Sequence, residues 1–481
     1  MHPRVIANAV GAVIAAGGIA MLLPAAFSLL VADGNALAFI LPAFGALALG
    51  AVVFFLTRIP DPRILRQDVF LIVVLGWLGV ATAGALPFVL SGLMGPVDAF
   101  FESMAGFTTT GASTIRVPEE VAPSLLLWRS ITQWAGGIGI VLLFVAVAPL
   151  VGFGAAQLYS AELASPVAER LTPRIQDTAK ILVYVYGALT LGGVVALLVA
   201  GMGPFDAVNY ALATVSTGGF STHSESIAAF DSWGVELYVV MGMVLSGVNF
   251  TLYFQAVQGR LGRVFGNREL QAYLGIIAVG TVVMTTSLYA FDYQDSLIGA
   301  FRDALFQSAS LLTGTGFVTA DWKAWDPLSQ SLLMLFMVIG AMAGSTSGGL
   351  KVIRAVLLMR HGAQEVFHMI HPQAVTPLKL GNRVVPERLR TAFLGFFFVY
   401  AASLAVGTLL MALHGIQIGA AFGSVFACLN ITGTALGPVG DPGFYAGLPP
   451  SAKVILTGFM LLGRLELFTV LVLLTPAFWR G

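Results

Sequence analysis

The chain has 481 residues, 57% of them hydrophobic and only 10% charged, with 24 basic and 24 acidic side chains. Soluble domains carry about 25% charged residues, so lipid is the expected solvent for most of this surface. A net charge of zero gives no footprint for nucleic acid, and the single cysteine, Cys428, excludes an intrachain disulfide.

A crossing helix needs about 20 apolar residues. The first two candidates cover 5–32 and 36–57, and the first is too long for a signal h-region, so it is expected to be a retained span. A polar break, Arg58–Asp68, follows. One module then appears four times: a span, a short apolar helix, a Gly-rich loop and a second span. The first spans are 69–91, 178–201, 270–290 and 390–413. The short helices are 97–107, 205–215, 299–312 and 418–429, half the length a bilayer requires. The second spans are 123–149, 234–258, 328–358 and 452–478. The expected fold is an all-α polytopic membrane protein with four such repeats around a central pore plus two N-terminal transmembrane helices. Its units are 1–66, 67–150, 151–265, 266–362 and 363–481, giving ten crossings and four re-entrant helices.

All but six of the 24 lysines and arginines fall on the side opposite the Gly-rich loops; the six are Arg116, Arg129, Arg302, Lys323, Lys453 and Arg464. The positive-inside rule then places both termini in the cytoplasm and the loops outside. The longest polar stretches, 150–177 and 361–389, are too short for a soluble domain. The basic region 351–390 could meet a cytoplasmic partner or anionic lipid, or serve topology alone.

The four loops are Thr108–Ser113, Ser216–Thr222, Thr313–Thr319 and Asn430–Gly437. In three of them an Asp stands 13 positions before a glycine: Asp98 and Gly111, Asp206 and Gly219, Asp303 and Gly316. Equal spacing at three distant places marks an internal repeat. Irregular backbone survives at membrane depth only where it lines a cavity or is buried in protein. Four such loops around one axis can present carbonyl oxygens to a dehydrated cation. Glycine supplies the φ > 0 this requires, and the negative ends of the preceding helices favour positive charge. The residues expected to contact the ion are Thr109, Thr110 and Gly111; Thr217, Gly218 and Gly219; Thr315, Gly316 and Phe317; and Thr432 with Gly433, which ungapped alignment places at the fourth position. Taken singly, a Gly-rich stretch is more often an ordinary turn.

These loops, with Gln133–Ile140 (QWAGGIGI), Ser246–Phe250 (SGVNF), Gly344–Lys351 (GSTSGGLK) and Gly463–Phe468 (GRLELF), resemble the TrkH/KtrB family of K+ transporters over essentially the whole chain. The extra N-terminal pair favours the TrkH branch. The resemblance implies K+ uptake across the inner membrane, a homodimer, and a TrkA-like cytoplasmic ring of nucleotide-binding regulatory subunits. It also implies that K+ is the ion at the loops, with no organic cofactor. The family pattern of the fourth loop puts Ala435 where a glycine is usual, so Gly433 and Ala435 both stand as the fourth filter position.

Gly344, Ser345, Thr346, Ser347, Gly348 and Gly349 interrupt the span 328–358. Three glycines in six positions destabilise a helix by about 3 kcal/mol. The matching family segment is an intramembrane gate; a small-residue helix contact is the alternative. Arg464 lies mid-span, where a charge is costly and faces a cavity or a partner. In the family the matching arginine projects into the pore below the filter, while Glu466 and Glu102 are the acids with which it could instead pair. Arg129 is expected near an interface because Trp128 adjoins it, and Asp206 and His223 near the outer mouth. The main alternative function is a Na+- or H+-coupled K+ symporter, although parallel rather than inverted repeats favour a channel-like path. Enzyme activity is not expected: no P-loop, zinc motif or nucleophile–base spacing is present.

Overall fold

Two N-terminal helices, Pro3–Val31 and Ala36–Thr57, form a hairpin whose backbones touch. A Cβ on Gly50 would collide with the carbonyl oxygen of Gly11, and one on Gly18 would lie 2.8 Å from that of Ala43. Small residues permit this approach where lipid offers no hydrophobic drive for association. The connecting turn docks on the first repeat, because Asp33 accepts a 3.0 Å hydrogen bond from the Ser124 amide. The computed structural model describes residues 1–59, 65–151, 172–374, 376–380, 383–441 and 443–480. Arg63, Arg170 and most of the polar stretch 150–177 lie outside the described residues.

The four repeats open with Arg66–Leu90, Thr172–Val199, Arg268–Ala290 and Glu387–Ala412. Each then enters a short helix: Pro96–Phe107, Pro204–Val215, Leu297–Thr313 and Ile418–Asn430. Proline starts two of these helices, where its missing N–H costs nothing. The C-terminal halves of all four are buried. The short helix of repeat 2 packs on the second span of repeat 1, that of repeat 3 on the second span of repeat 2, and that of repeat 1 on the second span of repeat 4. The repeats thus close around an axis, making the all-α polytopic fold that the sequence predicts.

The second spans of repeats 2 and 4 depart from the expected uninterrupted crossings, while that of repeat 3 is interrupted as the sequence predicts. Only that of repeat 1, Pro123–Val151, is one helix. In repeat 2, Trp233–Ser246 and Phe250–Val257 meet at 92°. The break has local causes. A Cβ on Gly247 would strike the Tyr273 hydroxyl, and the Asn249 side chain caps the second half by accepting from the Thr251 amide at 2.8 Å. Repeat 3 is split into Pro327–Ile339 and Val352–Ile370 by the segment 340–351. Repeat 4 turns by 117° after Pro450–Arg464, at Glu466, which sits at φ 61°. Among the described residues, seven helices are long and apolar enough to cross a membrane, or nine if each bent pair counts as one. A two-residue antiparallel ladder, Lys379–Leu380 with Arg383–Val384, is a small addition to this helical fold.

Candidate functional site

Each short helix ends in the same left-handed cap. Thr109, Thr217, Gly314 and Ile431 take φ of 55°, 52°, 70° and 59°. The next amide reaches back five residues: Thr110 to Ala105, Gly218 to Ala213, Thr315 to Ser310 and Thr432 to Ala427, at 2.8–3.0 Å. The capping amides themselves bond to Gly106, Thr214, Leu311 and Cys428. This is the paired bonding of a Schellman motif. Glycine is its usual residue, yet three repeats place a β-branched side chain there, at a cost of about 1–2 kcal/mol each.

Two positions later the chain turns left-handed again at Gly111, Gly219, Gly316 and Gly433, with φ of 77°, 75°, 81° and 66°. Here the loops meet. A Cβ on Gly111 would collide with the carbonyl oxygen of Gly218; on Gly219, with that of Thr315; on Gly316, with that of Thr432; on Gly433, with that of Thr110. The four oxygens therefore form a closed ring in which each lies against the glycine of the preceding repeat. Gly433, and not Ala435, is the geometric counterpart of the other three glycines. Ala435 is fully buried, is not among the described residues with φ > 0, and packs toward Gly423. Phe317 is also buried; its carbonyl accepts from Ser310 Oγ at 2.7 Å and its ring lies 5.4 Å from Tyr210.

The helix C-termini aim their partial negative charge, about half an elementary charge each, at this ring. Hydroxyls close by are mostly engaged: Thr108 with Thr110 at 2.8 Å, Thr313 with Thr315 at 2.7 Å. Among the described residues no group of three His, Cys, Asp or Glu side chains could hold a metal ion. A cation on the axis would meet carbonyl and hydroxyl oxygens instead. Gln133 braces the second loop, donating to the Gly218 carbonyl at 2.5 Å and accepting from the Phe220 amide at 3.1 Å.

Beneath the ring lies the segment 340–351. Gly340, Gly344, Gly349 and Lys351 all take φ of 70–78°. Thr346 is fully buried, and its hydroxyl stands 3.2 Å from that of Thr217 and 3.3 Å from the Val215 carbonyl. A Cβ on Gly348 would strike the Asn430 carbonyl. The segment thus presses on the ends of the second and fourth short helices. It is held from below as well. The Glu269 carboxylate accepts from the Ala343 amide at 2.8 Å, the Asn249 amide donates to the Ala343 carbonyl, and Lys351 Nζ donates to the Ser347 carbonyl.

Arg464 spans the axis. Its Nη1 donates to the Thr346 carbonyl at 2.6 Å and its Nη2 to the Gly136 carbonyl of repeat 1 at 2.9 Å. The alternative of an acid partner is not realised with either candidate: Glu466 accepts from Arg354 at 2.7 Å, and Glu102 from Arg129 at 2.8 Å. A cavity of about 80 Å³ opens on the far side of the segment, lined by Ser345, Ser347, Lys351, Arg464 and Glu466 among others.

Arg129 is 3% exposed and lies behind the loops, paired with Glu102. Asp206 and His223 do meet, at 3.9 Å, with Thr222 Oγ1 bonded to both. Four of the cations on the loop side tie neighbouring repeats together. Arg129 reaches the Ser221 carbonyl, Arg302 grips Glu236 with two bonds of 2.5 and 2.6 Å, Lys323 pairs with Asp441, and Lys453 pairs with Asp98 at 2.6 Å.

A family model described as "TrkH: Cation transport protein" matches residues 37–480. The chain belongs to the TrkH family. It is accordingly a multi-pass membrane transporter and not an enzyme. The Trk system potassium uptake protein TrkH of Salmonella typhimurium is 40% identical to this TrkH-family chain, each covered completely. The same is true of the protein of that name from Vibrio parahaemolyticus. The crystal structure of the potassium transporter TrkH from Vibrio parahaemolyticus superposes with a TM-score of 0.92 at 38% identity, over the whole of both chains.

Proposed function

We propose that this chain takes up K+ across the inner membrane through a gated, channel-like path. In this reading the filter is built from Thr109, Thr110 and Gly111, Thr217, Gly218 and Gly219, Thr315 and Gly316, and Thr432 and Gly433. The observation that carries it is the closed ring of four carbonyl oxygens, each abutting the left-handed glycine of the preceding repeat. A ring so crowded cannot widen at one loop without displacing its neighbour, which is what discrimination between cations of similar charge demands. The potassium-specific names of full-length relatives support the choice of ion.

The segment Gly344–Gly349 is the gate in this reading, and Arg464 is its latch. Unwound backbone directly under the ring, held by a guanidinium that also grips repeat 1, supports the assignment. Regulation by a TrkA-like cytoplasmic nucleotide-binding ring, a homodimer and cytoplasmic termini complete the proposal. The helix Val352–Ile370 supports a cytoplasmic partner: it leads out of the gate segment and leaves Met359, Val366, Met369 and Ile370 exposed. The units 1–66, 67–150, 151–265, 266–362 and 363–481 are the modules we assign to it.

The test is K+ flux into proteoliposomes, with and without an imposed Na+ or pH gradient. Flux that follows the K+ gradient alone is expected. Uptake that requires either coupling gradient would replace the channel-like reading with a symporter.

A further inference from the structure

The four repeats differ in what stands behind the ring. Nine positions before Gly111, Gly219, Gly316 and Gly433 stand Glu102, Tyr210, Gln307 and Ser424. Tyr210 bonds to Ser221 and Ser226 within its own repeat, and Ser424, among the described residues, to its own helix alone. The side chain of Gln307 makes no hydrogen bond among the described residues. Glu102 alone is ionisable at neutral pH, and it is 1% exposed. Its partner breaks a pattern as well. Arg129 is the seventh residue of its helix, where the other second spans place Val239, Leu333 and Leu456, all buried. An aliphatic side chain therefore suffices for packing there.

A buried ion pair is weak evidence for stability, since desolvation offsets its Coulomb attraction. This pair is joined instead to the loops. Glu102 Oε1 accepts from Arg129 Nε at 2.8 Å and from Ser113 Oγ at 2.8 Å; Oε2 accepts from the Thr114 amide at 2.7 Å. Arg129 donates to Ser113 Oγ at 3.0 Å and, across the repeat boundary, to the Ser221 carbonyl at 3.1 Å. Its guanidinium lies 4.2 Å over the Phe220 ring. Ser113 follows Gly111 by two positions, and Phe220 and Ser221 follow Gly219 by one and two.

We propose that the Glu102–Arg129 pair positions the first and second filter loops against each other and so sets ion preference. It touches no ion itself; it acts through Ser113, Thr114, Phe220 and Ser221. The fork of arginine is what makes one side chain reach both loops, and lysine cannot reproduce it. The inference rests on the filter reading above.

The experiment compares K+, Rb+ and Na+ flux and melting temperature for the full chain in proteoliposomes. Glu102→Gln and Arg129→Lys are each expected to lower the K+/Na+ flux ratio about fivefold, the effect of losing one or two charge-assisted hydrogen bonds at the loops. A third variant, Glu102→Leu with Arg129→Met, strands no buried charge and is expected to fold where a single change does not. It should show the same loss of preference. A folded double variant with the parent's ratio overturns the proposal. Gly316→Ser, made in parallel, separates the two readings. If it loses preference while the pair variants keep theirs, the filter stands and the positioning role fails. If Gly316→Ser also keeps the parent's ratio, the filter reading itself is wrong.

Discussion

At the ring the four repeats obey one rule; beneath it each goes its own way. The caps at Thr109, Thr217, Gly314 and Ile431 and the glycines two positions later share one backbone course. The second spans beneath them are one continuous helix, a 92° bend, an interrupted helix and a 117° bend. Symmetry at the ring suits an ion, which has no preferred face. Asymmetry below suits a latch, which needs one element to move against three that do not. The repeats thus converge where geometry must be shared and diverge where roles differ.

The comparison breaks most sharply at the glycines. Gly316→Ser should reduce K+ over Na+ discrimination about tenfold or more, because left-handed backbone with a side chain costs about 1–2 kcal/mol before any collision with the Thr432 carbonyl. Growth on limiting K+ and Na+ permeation, in a host without other K+ uptake, measure it. If the repeats are equivalent at the ring, Gly111→Ser and Gly219→Ser should act alike. A strongly unequal set would mean that the ring is symmetric in shape only.

Below the ring, equivalence should fail. Removing Gly344–Gly349 should raise flux several-fold and weaken its dependence on a regulatory subunit. A folded deletion as closed as its parent would leave the segment as packing. Arg464→Ala should raise flux by a smaller factor. It strands no carboxylate, since its partners are the carbonyls of Thr346 and Gly136, so the stability loss should be about 2–3 kcal/mol, that of charge-assisted hydrogen bonds. Flux and melting on one purified sample check this; a large stability loss without added flux would remove Arg464 from the path.

The smallest effect lies at the outer surface. Glu119 links the first and second repeats by accepting from the Ser224 amide and hydroxyl at 2.6 Å each. Partial burial pushes its carboxyl up, and the Ser224 hydrogen bonds outweigh this, holding it below the usual glutamate range. A lowered folded value contributes stability above the unfolded pKa and loses it as pH falls through the folded one. A slight drop in melting temperature below about pH 4 is expected, abolished in Glu119→Gln.

The sequence displays its repeats because helix length, glycine and the aspartate spacing are local signals. The short helices fall within one or two residues of their predicted ends. The fourth loop stays ambiguous until Gly433 is seen against Thr110, a contact no spacing reveals. The bends at Gly247 and Glu466 escape for the same reason. Each has a single breaking residue in an apolar window, and each is enforced from far away, by Tyr273 and by Arg354. The pairing of Arg129 is missed because the interfacial habit of its neighbour Trp128 draws attention away from a partner 27 positions upstream. The signal that finds it is Glu102 standing where the other repeats carry Tyr210, Gln307 and Ser424.

The ring also has a history within each molecule. Its last contact joins Gly433 to Thr110, more than three hundred positions earlier in the chain. Loops one to three can therefore meet while the chain is still being made, but nothing closes until the fourth has entered the membrane. Until then the Thr110 oxygen lacks its glycine neighbour, and a nascent chain holds three sides of an incomplete ring. Late closure means that the full ring exists only once the last repeat is in place, and a chain shortened before Gly433 keeps loops that have no fourth wall to lean on.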